Sequence, residues 1–369
     1  MFVTPAIFSN QDMTIIQYLI PAIFAFTLTI FLTMLALKFF PKFGLTDRPW
    51  QYGLKRNPIP YYGGLVIVAV FFISVLLFVK IDIHVLGLLL GALMIACVSF
   101  ADDLFGLSPV LRLFAQILAA GVLVASGIGI RSISNPFGAP FILDKQAISL
   151  AIDTAIVSIS LLGALFTILW VVTIVNTMNF LDGLNGLPSG VSAIAALSIF
   201  FLSIRPDIHF DISSQVPVAT LSIILFAIAF AFMFFDFYPA KILMGDTGSM
   251  FLGFLLATLA IFSGGKITTA FLILGFPILD AVWVILRRIV SGKSPFRGDL
   301  HHLHHRLIEI GLSERKAVLF IYAVCALFGG IAIFLGPLQK VYAIAVLVIL
   351  MFIVGGFAVH FGKKHQNEK

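Results

Sequence analysis

Residues 176–187 carry an unusual density of polar side chains directly after one of the most apolar runs of the chain, residues 156–175. The polar positions are Asn176, Asn179, Asp182 and Asn185, with Gly183 and Gly186 among them. Asparagine and aspartate supply oxygen atoms to hard cations such as Mg²⁺, and glycine lets a backbone bend closely around a ligand. A polar turn between membrane helices would explain the glycines and one asparagine, but not three amides and a carboxylate together. We therefore interpret this segment as a ligand site at the end of a membrane helix.

Asp102 and Asp103 form a pair of adjacent carboxylates at the end of an earlier apolar run. Adjacent carboxylates repel each other, so such a pair at a membrane face requires a cation or a basic partner. One carboxylate could bind a metal ion or orient a phosphate nucleophile, while the other pairs with Lys55 or Arg112. An ordinary solvated helix end explains the pair equally well, so the pair alone does not decide the matter.

The segment Met-Gly-Asp-Thr-Gly-Ser at residues 244–249 begins another apolar run. Backbone N–H groups at a helix N-terminus attract anions, and Gly245 and Gly248 would let a ligand approach them. Asp246 is poorly placed to bind a phosphate itself but well placed to hold an Mg²⁺ ion that does. Asp246 or Thr247 could also cap the helix, which is compatible with a metal site.

Half of the eight histidines of the chain lie in one short segment, residues 301–305. They are His301, His302, His304 and His305, with Arg297 before them and Arg306 after them. A Zn²⁺ site would require cysteines or more acidic ligands than the neighbouring Asp299. Histidines between arginines suit a pyrophosphate group better. A solvated basic loop would explain the arginines but not the repeated histidines, so we predict an anion-binding segment.

The composition identifies the elements that must position these residues. Hydrophobic residues make up 60% of the chain and charged residues 11%, and the mean hydropathy is +1.11. A soluble domain is nearer half apolar and a quarter charged, so we predict an all-α polytopic membrane protein. Cys97 and Cys325 both lie in apolar runs and are too few for a disulfide framework or a metal site. We find no nucleic-acid-binding pattern.

The apolar runs predict eleven membrane spans. These are residues 15–37, 62–79, 85–101, 112–130, 153–175, 188–204, 216–234, 248–264, 269–289, 317–335 and 341–361. Of the 23 Lys and Arg residues, 17 fall on one side of this arrangement, and basic residues concentrate in cytoplasmic loops. The N-terminus is therefore predicted outside and the C-terminus in the cytoplasm. On the outer side, residues 131–149 are predicted to form a small hairpin.

All the dense polar clusters fall on the predicted cytoplasmic side, which indicates a one-sided active site. A transporter of metal ions or lipids, using the Asp and His clusters as ligands, is the alternative. It is expected to carry ionisable groups near the middle of the membrane. Only Asp280 lies well inside a span, about two turns from Arg287. It could be a structural ion partner or a wall of the site, and we favour the structural role. Oxygen ligands, a carboxylate pair and a His/Arg segment in a membrane together indicate phosphoryl transfer involving a lipid.

Five motifs, in order, resemble the polyprenyl-phosphate N-acetylhexosamine-1-phosphate transferase family (glycosyltransferase family 4), of the WecA/TagO type and related to MraY. They are Pro58-Ile-Pro60 followed by Gly63-Gly64, the Asp102-Asp103 pair, Asn176-x-x-Asn179-x-x-Asp182-Gly-Leu, Pro239-Ala240 followed by Met244-Gly-Asp246-x-Gly-Ser249, and His302-Leu-His304-His305-Arg306. The resemblance covers residues 47–312. It agrees with a single integral-membrane domain over residues 1–369.

The resemblance implies a reaction and its partners. Undecaprenyl phosphate attacks the sugar-bearing phosphorus of a UDP-N-acetylhexosamine, with UDP-GlcNAc as the default donor, and UMP is released. The implied cofactor is Mg²⁺, with Mn²⁺ as a substitute. The implied location is the bacterial inner membrane with the active site facing the cytoplasm, where the product initiates cell-envelope glycan synthesis. Relatives are often dimers, so a homodimer is an open expectation.

The resemblance also implies roles for individual residues. Asp246 and Asn179 are the metal ligands. The catalytic positions are Asp102 and Asp103, which position or deprotonate the lipid phosphate, Asp182, near the metal and the nucleotide, and His304 and His305, on the pyrophosphate and sugar. The substrate-binding positions are Lys55, Asn176, Asn185, His302 and Arg306. Many members carry Asp where this chain has Asn185, and Lys55 lacks the histidine often found beside it.

Another lipid-phosphate enzyme, a CDP-alcohol phosphotransferase, is the third interpretation. That family has spaced aspartates after an Asp-Gly-x-x-Ala-Arg run. Here Asp182-Gly183 leads into Leu-Asn-Gly, so the pattern is absent.

Overall fold

A computed structural model gives the fold of this chain. It describes residues 10–52, 56–133, 135, 138–144, 147–152, 155–205, 213–263, 267–292 and 302–367. Lys55, Arg297, Asp299 and His301 lie outside these ranges, so what the sequence predicts for them stays a prediction.

Thirteen α-helices are present in the described ranges. They are α1 Asn10–Phe39, α2 Gly64–Phe78, α3 Ile83–Phe105, α4 Pro109–Ala125, α5 Leu161–Leu181, α6 Leu187–Ser203, α7 Val216–Asp236, α8 Gly245–Phe262, α9 Ile267–Ile273, α10 Gly275–Val290, α11 Leu303–Glu309, α12 Glu314–Phe334 and α13 Pro337–Asn367. Short 3₁₀ helices occupy Phe40–Phe43, Pro49–Tyr52 and Ser213–Gln215.

Seven of the helices described are long and apolar enough to cross a membrane: α1, α3, α5, α7, α8, α12 and α13. Helices α9 and α10 together form an eighth candidate span, while α2, α4 and α6 are shorter apolar helices. The prediction of a helical, multi-pass membrane protein is therefore confirmed. Eleven crossings would require the three shorter helices to cross as well, and that count stays a prediction.

The predicted ninth span is not one straight helix. Helices α9 and α10 meet at an angle of 82° on either side of Leu274. Pro277 lies in the first turn of α10, where its missing N–H leaves no helical hydrogen bond unmade. In one helix continuing from α9, the same proline would remove a backbone hydrogen bond. The apolar run is continuous in the sequence, but the backbone bends within it.

Two small antiparallel sheets lie between α4 and α5. Strand β1 (Ser132–Ile133) pairs with β2 (Phe141–Ile142), and β3 (Ala147–Ile152) pairs with β4 (Ala155–Ser160). The hairpin predicted within residues 131–149 is therefore confirmed, and the pairing of β3 with β4 was not predicted.

The predicted start of the fifth span at residue 153 is also wrong, because residues 155–160 are a strand and α5 begins at Leu161. Ser158 and Ser160 alternate with Val157 and Ile159 at the end of this strand. Alternation of this kind indicates a strand, but mean hydropathy does not detect it. Ser160 ends the strand and begins the helix, since its Oγ accepts the Gly163 N–H at 2.9 Å.

Helix α8 is the centre of the bundle, and 89% of its residues are buried, against 6% in the apolar span of α13. It packs against α2, α3, α5 and α6. Gly248 lies so close to Gly64 that a Cβ on Gly64 would be 2.3 Å from the Gly248 nitrogen. A Cβ on Gly253 would be 2.9 Å from the Val175 Cα. Small residues thus allow close helix approach, and Gly248 serves packing rather than the ligand access predicted for it.

Backbone hydrogen bonds connect the segment before α2 to the segment before α8. The Gly63 N–H donates to the Leu243 carbonyl at 2.8 Å, and the Leu243 N–H donates to the Pro60 carbonyl at 3.0 Å. The Gly64 N–H donates to the Met244 carbonyl at 2.9 Å. The Pro-Ile-Pro and Gly-Gly motif therefore holds the N-terminal end of α8 beside the start of α2.

Candidate active site

Asp103 caps helix α8 from the neighbouring helix α3. Its carboxylate accepts the Asp246 and Thr247 N–H groups, each at 2.9 Å, and the Thr247 hydroxyl. The Tyr61 hydroxyl donates to the same carboxylate at 3.0 Å. The predicted capping by Asp246 or Thr247 is therefore wrong, because the orphan N–H groups of α8 are satisfied by an acid from another helix. This cap fixes where Asp246 stands, and Gly245, at φ +69°, makes the turn before it.

Arg112 connects the other aspartate to Asp246. Its Nη1 lies 2.8 Å from Asp102 Oδ2 and 3.0 Å from Asp246 Oδ2. The second oxygen of Asp102 accepts the Leu107 N–H at 2.6 Å. The predicted ion pair between the carboxylate pair and Arg112 is confirmed. One nitrogen between two carboxylates also marks a point where the protein requires positive charge.

Asn179 lies beside Asp246 from helix α5. Its Nδ2 donates to Asp246 Oδ1 at 2.9 Å and to Ser249 Oγ at 3.3 Å. A half-turn of this amide would bring its oxygen to the same place. Three separate helices, α3, α5 and α8, therefore bring Asp102, Asn179 and Asp246 together.

These residues fit an Mg²⁺ ion. In the part of the chain that the structure describes, no group of three or more His, Cys, Asp or Glu side chains could hold a metal. Mg²⁺ does not need such a group, because it keeps several waters and binds one or two carboxylates together with substrate phosphates. Asp246 and Asp102 already converge on a cationic nitrogen, and the Asn179 amide can supply a neutral oxygen.

Asp182 follows α5 on the same side and is half-buried. Its carboxylate has no hydrogen-bond partner among the residues described. Burial raises the pKa of Asp182 well above its ordinary value, and the carboxylates of Asp236, Asp246 and Asp103 raise it further. The side chain therefore favours a proton or a cation beside it.

The turn after Asp182 is held by α12. The Asn185 N–H donates to Glu314 Oε1 at 3.1 Å, and the Tyr322 hydroxyl donates to the Gly186 carbonyl. Gly186 itself stands at φ +82°. Asn185 therefore contributes a backbone contact, and the substrate-binding role of its side chain stays a prediction.

A second acid, Asp236, supports this turn from the end of α7. It is 2% exposed, and its Oδ2 accepts the Ser189 hydroxyl at 2.9 Å. Asp236 was not among the predicted site residues. It lies three residues before the Pro239-Ala240 motif, but nothing local in the sequence indicates that it reaches the turn after Asp182.

Asn176 lies one turn of α5 before Asn179. Its Nδ2 donates to Gln116 Oε1 at 2.6 Å and to the Val172 carbonyl at 2.8 Å. The amide thus ties α5 to α4. Its predicted role in substrate binding stays a prediction.

The histidine segment is attached to α10 through Asp280. Asp280 Oδ2 lies 3.1 Å from His302 Nδ1, and Asp280 Oδ1 accepts the Leu303 N–H at 2.8 Å. Asp280 thus joins α10 to the histidine segment, and the structural role predicted for it stays a prediction. The sequence did not indicate this contact, because residues 293–301 separate the two elements.

The histidines lie beside the turn after Asp182. A Cβ on Gly183 would be 2.8 Å from His304 Nε2 and 3.2 Å from His305 Nε2. Burial lowers the pKa of His304 well below its ordinary value and lowers that of His305, and neighbouring histidines add to both effects. His302 and His304 are buried, whereas His305 and Arg306 are half-buried. The last two are thus the more accessible to a ligand.

Comparison with known proteins identifies the family of this chain. The model of glycosyl transferase family 4 matches residues 85–264. A probable undecaprenyl-phosphate N-acetylglucosaminyl 1-phosphate transferase of Bacillus subtilis (strain 168) is 29% identical over 353 residues, which cover 93% of this chain and 92% of the relative.

Two further relatives are similarly extensive. A decaprenyl-phosphate N-acetylglucosaminephosphotransferase of Mycolicibacterium smegmatis (strain ATCC 700084 / mc(2)155) is 30% identical over 343 residues, covering 85% of this chain and 81% of the relative. An undecaprenyl-phosphate alpha-N-acetylglucosaminyl 1-phosphate transferase of Haemophilus influenzae (strain ATCC 51907 / DSM 11121 / KW20 / Rd) is 31% identical over 328 residues, covering 84% and 85%. With its carboxylates, amide and histidines gathered at one end of a membrane-helix bundle, the chain belongs to glycosyl transferase family 4.

Proposed function

We propose that this protein transfers N-acetylhexosamine 1-phosphate, by default GlcNAc 1-phosphate, from a UDP-sugar to undecaprenyl phosphate and releases UMP. The observation that carries the proposal is the convergence of Asp102, Asp246 and Asn179 beside Asp182 and the histidines. The names of the relatives, which specify polyprenyl-phosphate acceptors and N-acetylglucosamine, support it. They give no support to a transporter.

The metal site in this proposal consists of Asp246 and Asn179. When bound there, Mg²⁺, or Mn²⁺ in its place, supplies charge that neutralises the diphosphate and makes UMP a better leaving group. Arg112 holds positive charge between Asp102 and Asp246 at the same point. It can turn to a phosphate oxygen when a metal ion is held at Asp246.

The acceptor requires orientation more than deprotonation. The second pKa of a phosphate monoester is about 6, so the lipid phosphate is already ionised near neutral pH. In the reaction an oxygen of this phosphate forms a bond to the sugar-bearing phosphorus, and the bond from that phosphorus to UMP breaks. Asp102, with Arg112, orients the acceptor. Asp103 acts by holding α8, and hence Asp246, in place.

The donor lies between the turn after Asp182 and helix α11. His305 and Arg306, which are half-buried, hold the pyrophosphate and sugar, and His304 stands behind them with Nε2 towards Gly183. Asp182 lies near the metal and the nucleotide. Lys55, Asn176 and Asn185 complete the predicted substrate-binding set.

The proposal includes the membrane arrangement. The chain crosses the membrane eleven times, with the fifth crossing beginning at Leu161. The N-terminus is outside, and the site faces the cytoplasm of a bacterium, where UDP-sugars are made. The product then initiates a cell-envelope glycan. Residues 1–369 act as one integral-membrane domain, and a homodimer is an expectation from relatives that remains to be measured.

The test is UMP release by the detergent-purified protein from UDP-GlcNAc and undecaprenyl phosphate, with and without Mg²⁺, alongside Asp246→Asn. We expect Mg²⁺-dependent release that the substitution reduces by at least about 100-fold, because a metal ligand is lost. Release that survives the substitution would move the metal site but keep the reaction. Release with another UDP-sugar alone would change the donor. No release with any UDP-sugar from folded protein would contradict the proposal.

A further inference from the structure

Asp280 has no part in the proposed reaction, yet it is among the most completely bonded acids in the described structure. It is 4% exposed, and both of its oxygens contact the histidine segment. Oδ1 accepts the Leu303 N–H at 2.8 Å, and Oδ2 lies 3.1 Å from His302 Nδ1 and 3.8 Å from His304 Nδ1. A carboxylate beside Nδ1 keeps the proton on that nitrogen and sets the direction in which the ring points.

Ring stacking transmits this orientation to the next histidine. The His302 ring lies between Phe180 and His304, with ring centroids 5.4 Å away on each side. The planes of His302 and His304 are within 8° of parallel, and His305 packs on His304 at 4.3 Å. Phe180 is on α5, two residues before Asp182, so the stack connects the histidine segment to the end of α5. Asp280 connects the same segment to α10.

The other end of the stack faces the proposed donor site. His304 is 2% exposed, and its Nε2 is buried without a hydrogen-bond partner among the residues described. A Cβ on Gly183 would be 2.8 Å from this nitrogen and 3.2 Å from His305 Nε2. Buried polar atoms are rarely left unpaired, so such an atom indicates a missing ligand.

We propose that Asp280 is the positioning residue of the histidine motif. It holds His302 with a proton on Nδ1 and fixes the start of α11, so that His304 and His305 present Nε2 to the pyrophosphate of the sugar nucleotide. His302 is then a link between Asp280 and His304 rather than a substrate contact. This inference rests on the proposed function, because it assigns the ligand of the same site.

The test replaces Asp280 with asparagine, which keeps the shape and can still accept the Leu303 N–H. Its amide nitrogen then faces His302 Nδ1 and donates, which favours the tautomer with the proton on Nε2. We expect kcat for UMP release to fall roughly 10- to 100-fold, with a smaller change in KM for undecaprenyl phosphate, which binds elsewhere.

Asp82→Asn is the matched control. Asp82 also accepts a backbone N–H at a helix start, that of Val85 at 2.8 Å, and lies 3.8 Å from His84 Nδ1. It stands at the opposite end of α3 from Asp102 and Asp103. We expect this variant to keep the activity of the parent protein within twofold.

A second readout does not depend on activity. In protein labelled with ¹⁵N-histidine, the ring nitrogens of His302, assigned by their loss in His302→Gln, should show a protonated Nδ1. They should shift to the Nε2-protonated form in Asp280→Asn. Unchanged kcat, or lost activity with the His302 tautomer unaltered, would overturn the inference. If the parent protein releases no UMP from any UDP-sugar, the proposed function fails, whereas the spectra still decide how Asp280 acts on His302.

Discussion

Arg112 shows how one side chain holds two acids together at the candidate site. Its Nη1 contacts both Asp102 and Asp246, which belong to different helices. Without a cation between them these carboxylates would repel each other across a partly buried gap. We infer that Arg112 stabilises the protein when no metal is bound and becomes available to a phosphate group when one is.

Replacing Arg112 with methionine tests this inference. We expect the free energy of unfolding without Mg²⁺ to fall by about 1–3 kcal/mol. Without the guanidinium, Asp102 and Asp246 repel each other, although solvent screens part of this repulsion. Adding Mg²⁺ should raise the thermal midpoint of the variant more than that of the parent protein. Arg131→Met, an exposed arginine at the other end of α4, should leave the Mg²⁺ response unchanged. An equal response in all three proteins would contradict the inference.

His304 should make the folded protein sensitive to acid. Its pKa is lowered, chiefly by burial, so below about pH 6.5 the unfolded chain takes up a proton there that the folded chain does not. Stability therefore falls as the pH drops below that value, by at most about 1.4 kcal/mol per pH unit for this residue.

In His304→Gln this proton uptake is absent, so the fall in thermal midpoint from pH 7 to pH 5 should be smaller than in the parent protein. His84→Gln, at the far end of the bundle, is the control and should retain the acid sensitivity of the parent protein. If the two variants lose the same stability on acidification, His304 does not have the assigned effect.

At the scale of secondary structure, the crossing of α2 and α8 determines where Asp246 lies. Gly64 and Gly248 are in direct contact, and the Gly64 N–H donates to the Met244 carbonyl just before α8 begins. Asp103 holds the same helix end from α3. The glycines of two motifs therefore act as packing residues that let two acids and a helix terminus meet.

Gly64→Ala should damage both stability and activity. The added Cβ would lie 2.3 Å from the Gly248 nitrogen and 2.7 Å from its Cα, so α8 must shift. We expect a loss of about 1–3 kcal/mol of unfolding free energy and a fall in UMP release. Gly121→Ala on α4 meets nothing within 4 Å and should change neither. Thermal unfolding and the UMP assay on both variants decide the matter, and a fully active Gly64→Ala would mean that α8 tolerates displacement.

At the scale of the whole molecule, the site and the hairpins occupy opposite ends of the bundle. Asp102 and Asp103 lie at the C-terminal end of α3, and the segments between α4 and α5 lie beyond the opposite end of α4. Positive charge predicts that the site end faces the cytoplasm. A soluble UDP-sugar would then reach the site from the same side as the basic loops.

Cysteine accessibility tests this orientation in bacterial cells. In a background carrying Cys97→Ala and Cys325→Ala, we compare Ser132→Cys in β1 with Lys241→Cys just before α8, both at exposed positions. A membrane-impermeant maleimide should label Ser132→Cys in intact cells and Lys241→Cys only after permeabilisation. The reverse pattern would place the site outside.

The sequence alone determined the class of protein, the helices and the residues worth examining. Hydropathy and the positions of Lys and Arg are local properties of the sequence, so they can be evaluated without knowledge of tertiary contacts. The motifs around Asp102, Asn179, Asp246 and His304 could therefore be assigned to one end of the bundle. Predictions from hydropathy failed at the strand before Leu161 and at the bend at Leu274, because an apolar strand or a bent helix has the same mean hydropathy as a straight span.

Only the tertiary structure decided which groups are partners. Asp103 bonds to the N–H of a residue 143 positions away, and Arg112 pairs with an acid 134 positions away. The sequence predicted a structural role for Asp280 from its depth in a span, but not its contact with His302, 22 positions away. The motifs show which types of residue are at a site. Which of these residues stabilise the site and which face a ligand depends on how separate helices pack together.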